Sequence, residues 1–149
     1  LFLILENLQD PGNLGTMIRT GEGAGITGVI MNQQTVDIFN PKTIRATMGS
    51  IFRVPFVYVP ELSTVLTQMH ERGIHTYAAH LKGQKYYDSF SFREPTAFLI
   101  GNEGNGLTKE ISDQSGQYLK IPMEGKVESL NASIAAALLM YEAHRQRNL

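Results

Sequence analysis

Short apolar runs alternate with amphipathic stretches from one end of this chain to the other, and that alternation constrains the fold more than any other feature. Leu1–Leu5, Gly28–Met31, Val54–Val59, Ile74–Leu81, Thr96–Ile100 and Tyr118–Met123 have the length and residue types of strands. The stretches between them have helical spacing. After the turn Asp10-Pro11-Gly12, Asn13 is placed to cap a helix with Leu14, Met17 and Ile18 on one face and Gly21, Gly23 and Gly25 at its end. Asn40-Pro41 opens a second helix, from Lys42 to about Gly49, and Pro60-Glu61 opens a third, whose stripe is Leu62, Val65, Leu66 and Met69 and whose stop is Gly73. A short helix follows Thr108, and a last one runs from about Ser129 to Arg147 with Leu130, Ile134, Leu138 and Tyr141 on one face. A chain that returns to a strand after each helix predicts an α/β domain, a mainly parallel sheet flanked by helices. Pro55, with no N–H to give a ladder, puts the third run at an edge or an early strand position. In such sheets ligands sit beyond the C-terminal ends of the strands, where the polar, glycine-bearing runs after strands one, five and six stand.

The 149 residues, 42% apolar, suit one domain with one core. Without cysteine there is neither a disulfide nor a thiolate metal site, which fits a cytoplasmic protein. No apolar run approaches the ~18 residues a membrane span needs. Leu1-Phe2-Leu3-Ile4-Leu5 lacks the basic start of a signal peptide and enters a strand at once, so the chain is expected to be cut from a longer protein. A net charge of −1 leaves only local basic groups, Lys42, Arg45 and Arg53, Lys82 and Lys85, Arg145 and Arg147. Any polyanion contact is therefore confined to patches or helped by a part outside the chain.

Single motifs each have an ordinary explanation. Gly23-Ala24-Gly25-Ile26-Thr27-Gly28 matches the dinucleotide fingerprint but follows a helix and opens a strand, the reverse of the required context, so its glycines are assigned to the helix end. Gly101-Asn102-Glu103-Gly104-Asn105-Gly106 is better placed, between strand and helix, where glycine lets backbone approach a ligand; it is not a P-loop, since Leu107-Thr108 follows. In Asn13-Leu14-Gly15-Thr16-Met17-Ile18-Arg19, Gly15 and Arg19 share a face and could leave room for a substrate beside the guanidinium; the alternative is a cap at Asn13 and an Arg19–Glu22 pair. Ser129 and Asn131 are ordinary capping types. His70, His75, His80 and His144 have no metal-site spacing. Tyr86, Tyr87, Phe90 and Phe92 are better suited to cover the sheet than to stack bases.

Together the segments say more. Asn13-x-Gly15-x-x-x-Arg19, then Ile100-Gly101-Asn102-Glu103-Gly104-Asn105-Gly106-Leu107, then Ile121-Pro122-Met123 with Val127-x-Ser129-Leu130-Asn131-x-Ser133, occur in that order. They resemble the three signature motifs of the SpoU (TrmH) family of RNA ribose 2′-O-methyltransferases in the SPOUT superfamily, over nearly the whole chain. The resemblance implies a single catalytic domain over residues 1–149, without the N-terminal RNA-recognition extension common in the family. It also implies a C-terminal trefoil knot, which topology rules alone would reject. The implied cofactor is S-adenosylmethionine, held bent by Gly101, Ile121, Met123 and Leu130, largely through backbone, with the loop at His80 and Leu81 completing an apolar pocket suited to adenine.

The implied reaction deprotonates a ribose hydroxyl as it attacks the methyl group, with the RNA phosphate held in place. Arg19 is the implied catalytic residue. A guanidinium pKa above ~12 favours positioning and charge stabilisation over base catalysis, which stays open. Asn13, Glu103, Ser129 and Asn131 are implied to organise Arg19, the ribose and the cofactor carboxylate. No metal is called for, because the sulfonium is already activated. A homodimer through the last helix is implied, and Asp37–Val54, with Phe39-Asn40-Pro41-Lys42 and Met48-Gly49-Ser50, resembles the branch acting on large ribosomal RNA, with tRNA the other candidate. The alternatives are a non-catalytic RNA-binding or assembly module and a SPOUT base methyltransferase.

Overall fold

The computed structural model describes all 149 residues. Six strands form one sheet in the order β3-β2-β1-β5-β4-β6, every neighbouring pair parallel. They are β1 (Phe2–Leu5), β2 (Gly28–Asn32), β3 (Phe56–Val59), β4 (His75–Ala79), β5 (Thr96–Ile100) and β6 (Gln117–Leu119). The helices are α1 (Pro11–Ala24), α2 (Pro41–Thr47), α3 (Leu62–Glu71), α4 (Lys109–Gln114) and α5 (Ala132–Arg147). No helix is long and apolar enough to cross a membrane. Side chains alternate across the sheet, so β1 sends Leu3 and Leu5 into one core with Leu14, Met17, Ile18, Leu139 and Met140. Ile4, between them, joins Leu62, Leu66, Met69 and Ile111 on the other face. Helices α1 and α5 thus cover one face, and α3 and α4 the other. The inner strands β1 and β5 are covered on both faces, which is why they read as unbroken apolar runs.

The element boundaries correct several expectations. The cap of α1 is Asp10, whose carboxylate accepts the Asn13 N–H at 2.8 Å, with Pro11 as the first helical residue. Asn13 lies inside the first turn, which frees its side chain. Helix α1 ends at Gly25, whose φ of +74° only glycine adopts without strain. Gly15 leaves no room for a substrate: it is buried, and a Cβ there would come within 2.5 Å of Ala46 Cβ and the Thr43 carbonyl oxygen. Its work is to let α2 lie against α1. The third strand starts at Phe56, after Pro55, and is an edge strand. The sixth stops at Leu119, leaving Ile121–Met123 as loop, and pairing continues only as a bridge between Tyr86 and Lys120. Helix α5 begins at Ala132 rather than Ser129, because Asn131 caps it through bonds from the Ser133 and Ile134 amides. Phe92 is buried, packing on Tyr77 and Phe98 with ring centroids 5.1 and 4.9 Å away, so this part of the aromatic loop does cover the sheet.

The face of α5 turned inward carries Ser133, Ala136, Leu139, Met140 and Ala143. Its larger stripe is outside: Ile134, Leu138 and Tyr141 are 51%, 38% and 48% exposed. The stripe is therefore not buried in the chain's own core.

Candidate functional site

The loops after β4, β5 and β6 converge at one end of the sheet and enclose a cleft of about 550 Å³. This is the strand C-terminal end, where parallel sheets put ligands, and the volume is that of a small-molecule site. Gly101, Ile121, Leu130, His80, Leu81 and Met123 all line this one cleft. So do Glu103 and Ser129. Ile100, Leu107 and Leu119 add apolar wall, while Lys82, Lys120 and Glu128 bring charge to its border.

The glycine-rich loop is folded back on itself. Asn102 and Gly106 exchange backbone hydrogen bonds at 3.1 and 2.8 Å, and Asn102 Oδ1 accepts the amides of Gly104 and Asn105 at 2.9 and 3.0 Å. A Cβ on Gly101 would strike the Gly106 carbonyl and the Leu107 nitrogen. Glycine at 101 is thus required first by the loop's own closure, and only through that by anything the cleft holds.

Two carboxylates clamp this loop to the segment after β1. Glu6, buried, takes the Thr108 amide at 2.8 Å and the Thr108 hydroxyl at 2.7 Å. Glu103 takes the amides of Asp10 at 2.8 Å and Gln9 at 3.0 Å, and the Asn13 side-chain amide at 3.4 Å. Partial burial pushes the Glu103 pKa up, but these donors together outweigh it and hold the carboxyl below its ordinary value. Glu103 is therefore an ionised acceptor at neutral pH, a clamp rather than a proton donor. From Asn13 the chain of bonds continues: Asn131 Nδ2 donates to Asn13 Oδ1 at 3.0 Å, while Asn131 Oδ1 caps α5 and accepts the Ser133 hydroxyl at 2.6 Å. Three motifs are thereby joined as Glu103–Asn13–Asn131, across separations of 90 and 118 residues.

Arg19 stands apart. It does not line the cleft, and by helix rise it lies roughly 9 Å along α1 from Asn13. It is exposed and makes no hydrogen bond or ion pair within the chain. The alternative partner, Glu22, is engaged elsewhere, by Arg53 and by the Ser50 hydroxyl. His80 stacks on Tyr118 with centroids 4.6 Å apart, and burial, with Lys82 nearby, lowers its pKa against a smaller opposing effect of Asp113. No three His, Cys, Asp or Glu side chains converge on one point.

The sequence reading missed Glu6, Thr108, Tyr118 and Lys120. For Glu6 a signal existed: an acid closing an otherwise apolar strand run is costly to bury and so needs donors. Thr108 also caps α4, accepting the Ile111 amide at 3.4 Å, but its bond to Glu6, the stacking of Tyr118 on His80 and the place of Lys120 are set by tertiary contact.

Known proteins are similar to this chain in sequence and fold. The profile of the SpoU rRNA Methylase family matches residues 1–141. The chain is 37% identical over 139 residues to the 23S rRNA (guanosine(2553)-2′-O)-methyltransferase RlmP of Bacillus subtilis, covering 93% of this chain and 56% of that protein. The SpoU methyltransferase AviRb of Streptomyces viridochromogenes, solved in complex with the cofactor AdoMet, superposes with a TM-score of 0.93 at 34% identity, over 99% of this chain and 58% of that one. An AdoMet-bound rRNA methyltransferase of Sinorhizobium meliloti superposes with a TM-score of 0.89 at 36% identity, over 97% and 55%. The chain spans 56% to 59% of the length of such curated relatives.

Proposed function

The chain belongs to the SpoU rRNA methylase family, and from that premise we propose that it is the catalytic domain of an S-adenosylmethionine-dependent RNA ribose 2′-O-methyltransferase. The observation that carries this is the single cleft that gathers Gly101, Ile121, Leu130, His80, Leu81 and Met123, with the Glu103–Asn13–Asn131 chain at its rim. The residues fit the cofactor. Apolar walls at Ile100, Leu107, Ile121 and Leu130 suit an adenine, and the loop backbones offer the donors and acceptors its edge needs. When bound, the cofactor supplies an electrophilic methyl group. The chain's own residues do the rest. The folded glycine loop fixes one wall, and Glu103, already ionised and saturated with donors, keeps that wall registered against α1. Asn131 sets the start of α5 and with it Ser129 and Leu130. Arg19, with a guanidinium unpaired in the chain, is left to hold the RNA phosphate or to stabilise charge as the hydroxyl loses its proton.

In this reading the substrate is RNA, rRNA before tRNA, and the activity is cytoplasmic. We read the exposed stripe Ile134, Leu138 and Tyr141 as the face by which two copies pair, and the segment after β6 as the threaded part of a trefoil knot. The test is transfer of labelled methyl from S-adenosylmethionine by the full-length protein to rRNA and, separately, tRNA lacking the modification, followed by nuclease digestion. Label in 2′-O-methylated nucleoside is the expected result. Label on a base would favour a SPOUT base methyltransferase, and no transfer would favour an RNA-binding or assembly module.

A further inference from the structure

The cofactor loop has an anchor that none of the three motifs contains. Asn7, just after β1, has a φ of +55°, a left-handed conformation that costs most residues and that asparagine tolerates best after glycine. It is held there by Asn32, the last residue of β2. The Asn32 side chain accepts the Asn7 amide at 2.9 Å and donates to Asn7 Oδ1 at 2.7 Å, so that it matches Asn7 at both ends. Asn32 is itself buried and fixed by the Thr35 hydroxyl at 2.9 Å, and that hydroxyl in turn accepts the Leu8 amide at 3.2 Å. The consequence lies on the other side of Asn7. Its carbonyl oxygen accepts the Asn102 side-chain amide at 2.9 Å. Asn102 is the residue whose Oδ1 folds the glycine loop by accepting the Gly104 and Asn105 amides. A relay therefore runs from the end of β2, through a left-handed residue after β1, to the loop after β5 that walls the cleft.

We propose that Asn32 and Asn7 are positioning residues for the methyl-donor site: Asn32 pins Asn7 in its left-handed conformation, which aims the Asn7 carbonyl at Asn102 and sets the shape of the 101–107 loop. Neither touches the cleft. The inference rests on the assignment of that cleft to S-adenosylmethionine. The energy at stake is that of two or three partly buried hydrogen bonds plus the conformational preference of one residue.

The test uses Asn32→Ala, Asn7→Gly and the double variant in the full-length protein, with S-adenosylhomocysteine as the calorimetric probe and amide hydrogen exchange as a readout independent of any ligand. Asn32→Ala is expected to weaken S-adenosylhomocysteine by about tenfold, to raise KM for S-adenosylmethionine by a similar factor, and to leave KM for RNA near its starting value. Exchange should rise at Gly104, Asn105 and Gly106 and stay unchanged in α5. Glycine carries a positive φ without strain, so adding Asn7→Gly to Asn32→Ala should recover part of the lost affinity, a rescue that general destabilisation would not give. Thr35→Val, of the same shape, removes the hydroxyl that fixes Asn32. It should act in the same direction and serves if Asn32→Ala does not fold. Unchanged affinity and unchanged loop exchange in a folded Asn32→Ala or Thr35→Val protein would overturn the proposal, as would a double variant no better than Asn32→Ala. If the unaltered protein does not bind S-adenosylhomocysteine while Asn32→Ala still speeds loop exchange, the relay stands as a property of the loop and the cofactor assignment is what fails.

Discussion

Asn131 does two jobs with the two ends of one amide, and a pair of substitutions separates them. Its Oδ1 caps α5, taking the Ser133 amide at 2.8 Å and the Ile134 amide at 3.3 Å. Its Nδ2 donates to Asn13, 3.0 Å away. Asn131→Ala removes both. Loss of an N-cap costs about 1 kcal/mol, which for a chain of this size lowers Tm by about 2–4 °C. Asn131→Asp keeps the cap, and a carboxylate at a helix N-terminus is favoured by the helix dipole, so stability should hold. The link to Asn13 does not survive it. Either the new carboxylate faces the Asn13 carbonyl oxygen, or Asn13 turns its amide over and presents that oxygen to Glu103, whose carboxylate it now contacts as a donor. One junction of Glu103–Asn13–Asn131 breaks in both cases. If that chain holds the cleft's rim in reacting geometry, Asn131→Asp should lose about ten- to a hundredfold in kcat at nearly unchanged Tm. Asn131→Ala should lose both activity and the cap. The assay is steady-state methyl transfer beside thermal unfolding of the same preparations. Wild-type kcat in a stable Asn131→Asp protein would refute the argument that the linked amides matter to turnover. An Asn131→Ala protein as stable as the original would refute the cap.

Arg19→Ala should leave stability within about 0.5 kcal/mol, since the guanidinium has no partner to lose, and should cut methyl transfer on the order of a hundredfold with cofactor affinity changed less than about tenfold. Arg19→Lys should restore little if a planar two-pronged contact is needed; near-normal turnover by Arg19→Ala would return it to the role of a surface side chain. On the proposed pairing, the original protein should sediment as a dimer at micromolar concentration by ultracentrifugation, and Leu138→Asp on the exposed face of α5 should give a folded monomer. Glu22, bonded by Arg53 and Ser50, has its pKa lowered to about 2; a depressed carboxylate stabilises above its unfolded pKa and loses that contribution as pH falls from the ordinary carboxylate range toward 2. Urea midpoints taken at pH 7, 5 and 3 should therefore fall less steeply with acid in Glu22→Gln than in the original protein.

Most of the sheet was legible because a parallel strand covered on both faces has to be apolar along its whole length, as β1 and β5 are. The order of the strands was not, since periodicity carries no information about which run lies beside which. Boundaries slipped where two residues of the same capping type compete. Asp10 and Asn13 both suit an N-cap, and the deciding signal was Pro11, which belongs at the first helical position and so points back to Asp10. The slip had a functional cost, because a capping Asn13 would have spent on the helix the side chain that instead joins Glu103 to Asn131. Gly15 was misread for a related reason. A glycine on a helix leaves a smooth patch, but sequence does not say whether a substrate or, as here, a neighbouring helix lies on it.

The same limit explains α5. Its spacing announces a stripe of large apolar residues, and a single chain is expected to bury such a stripe. The fold does the opposite, turning alanines, Leu139 and Met140 inward and Ile134, Leu138 and Tyr141 outward. Helices α1 and α5 approach closely: a Cβ on Gly23 of α1 would come within 2.8 Å of the Tyr141 hydroxyl, so glycine there makes room for the tip of that side chain while the rest of Tyr141 stays half exposed. A helix built this way leaves apolar area uncovered unless something else covers it. Because the same helix begins at Asn131, whatever covers Leu138 and Tyr141 also steadies the residue that ties α5 to Asn13 and Glu103. Pairing of two copies would then bear on turnover as well as on stability, and Leu138→Asp should lower kcat even with S-adenosylmethionine saturating.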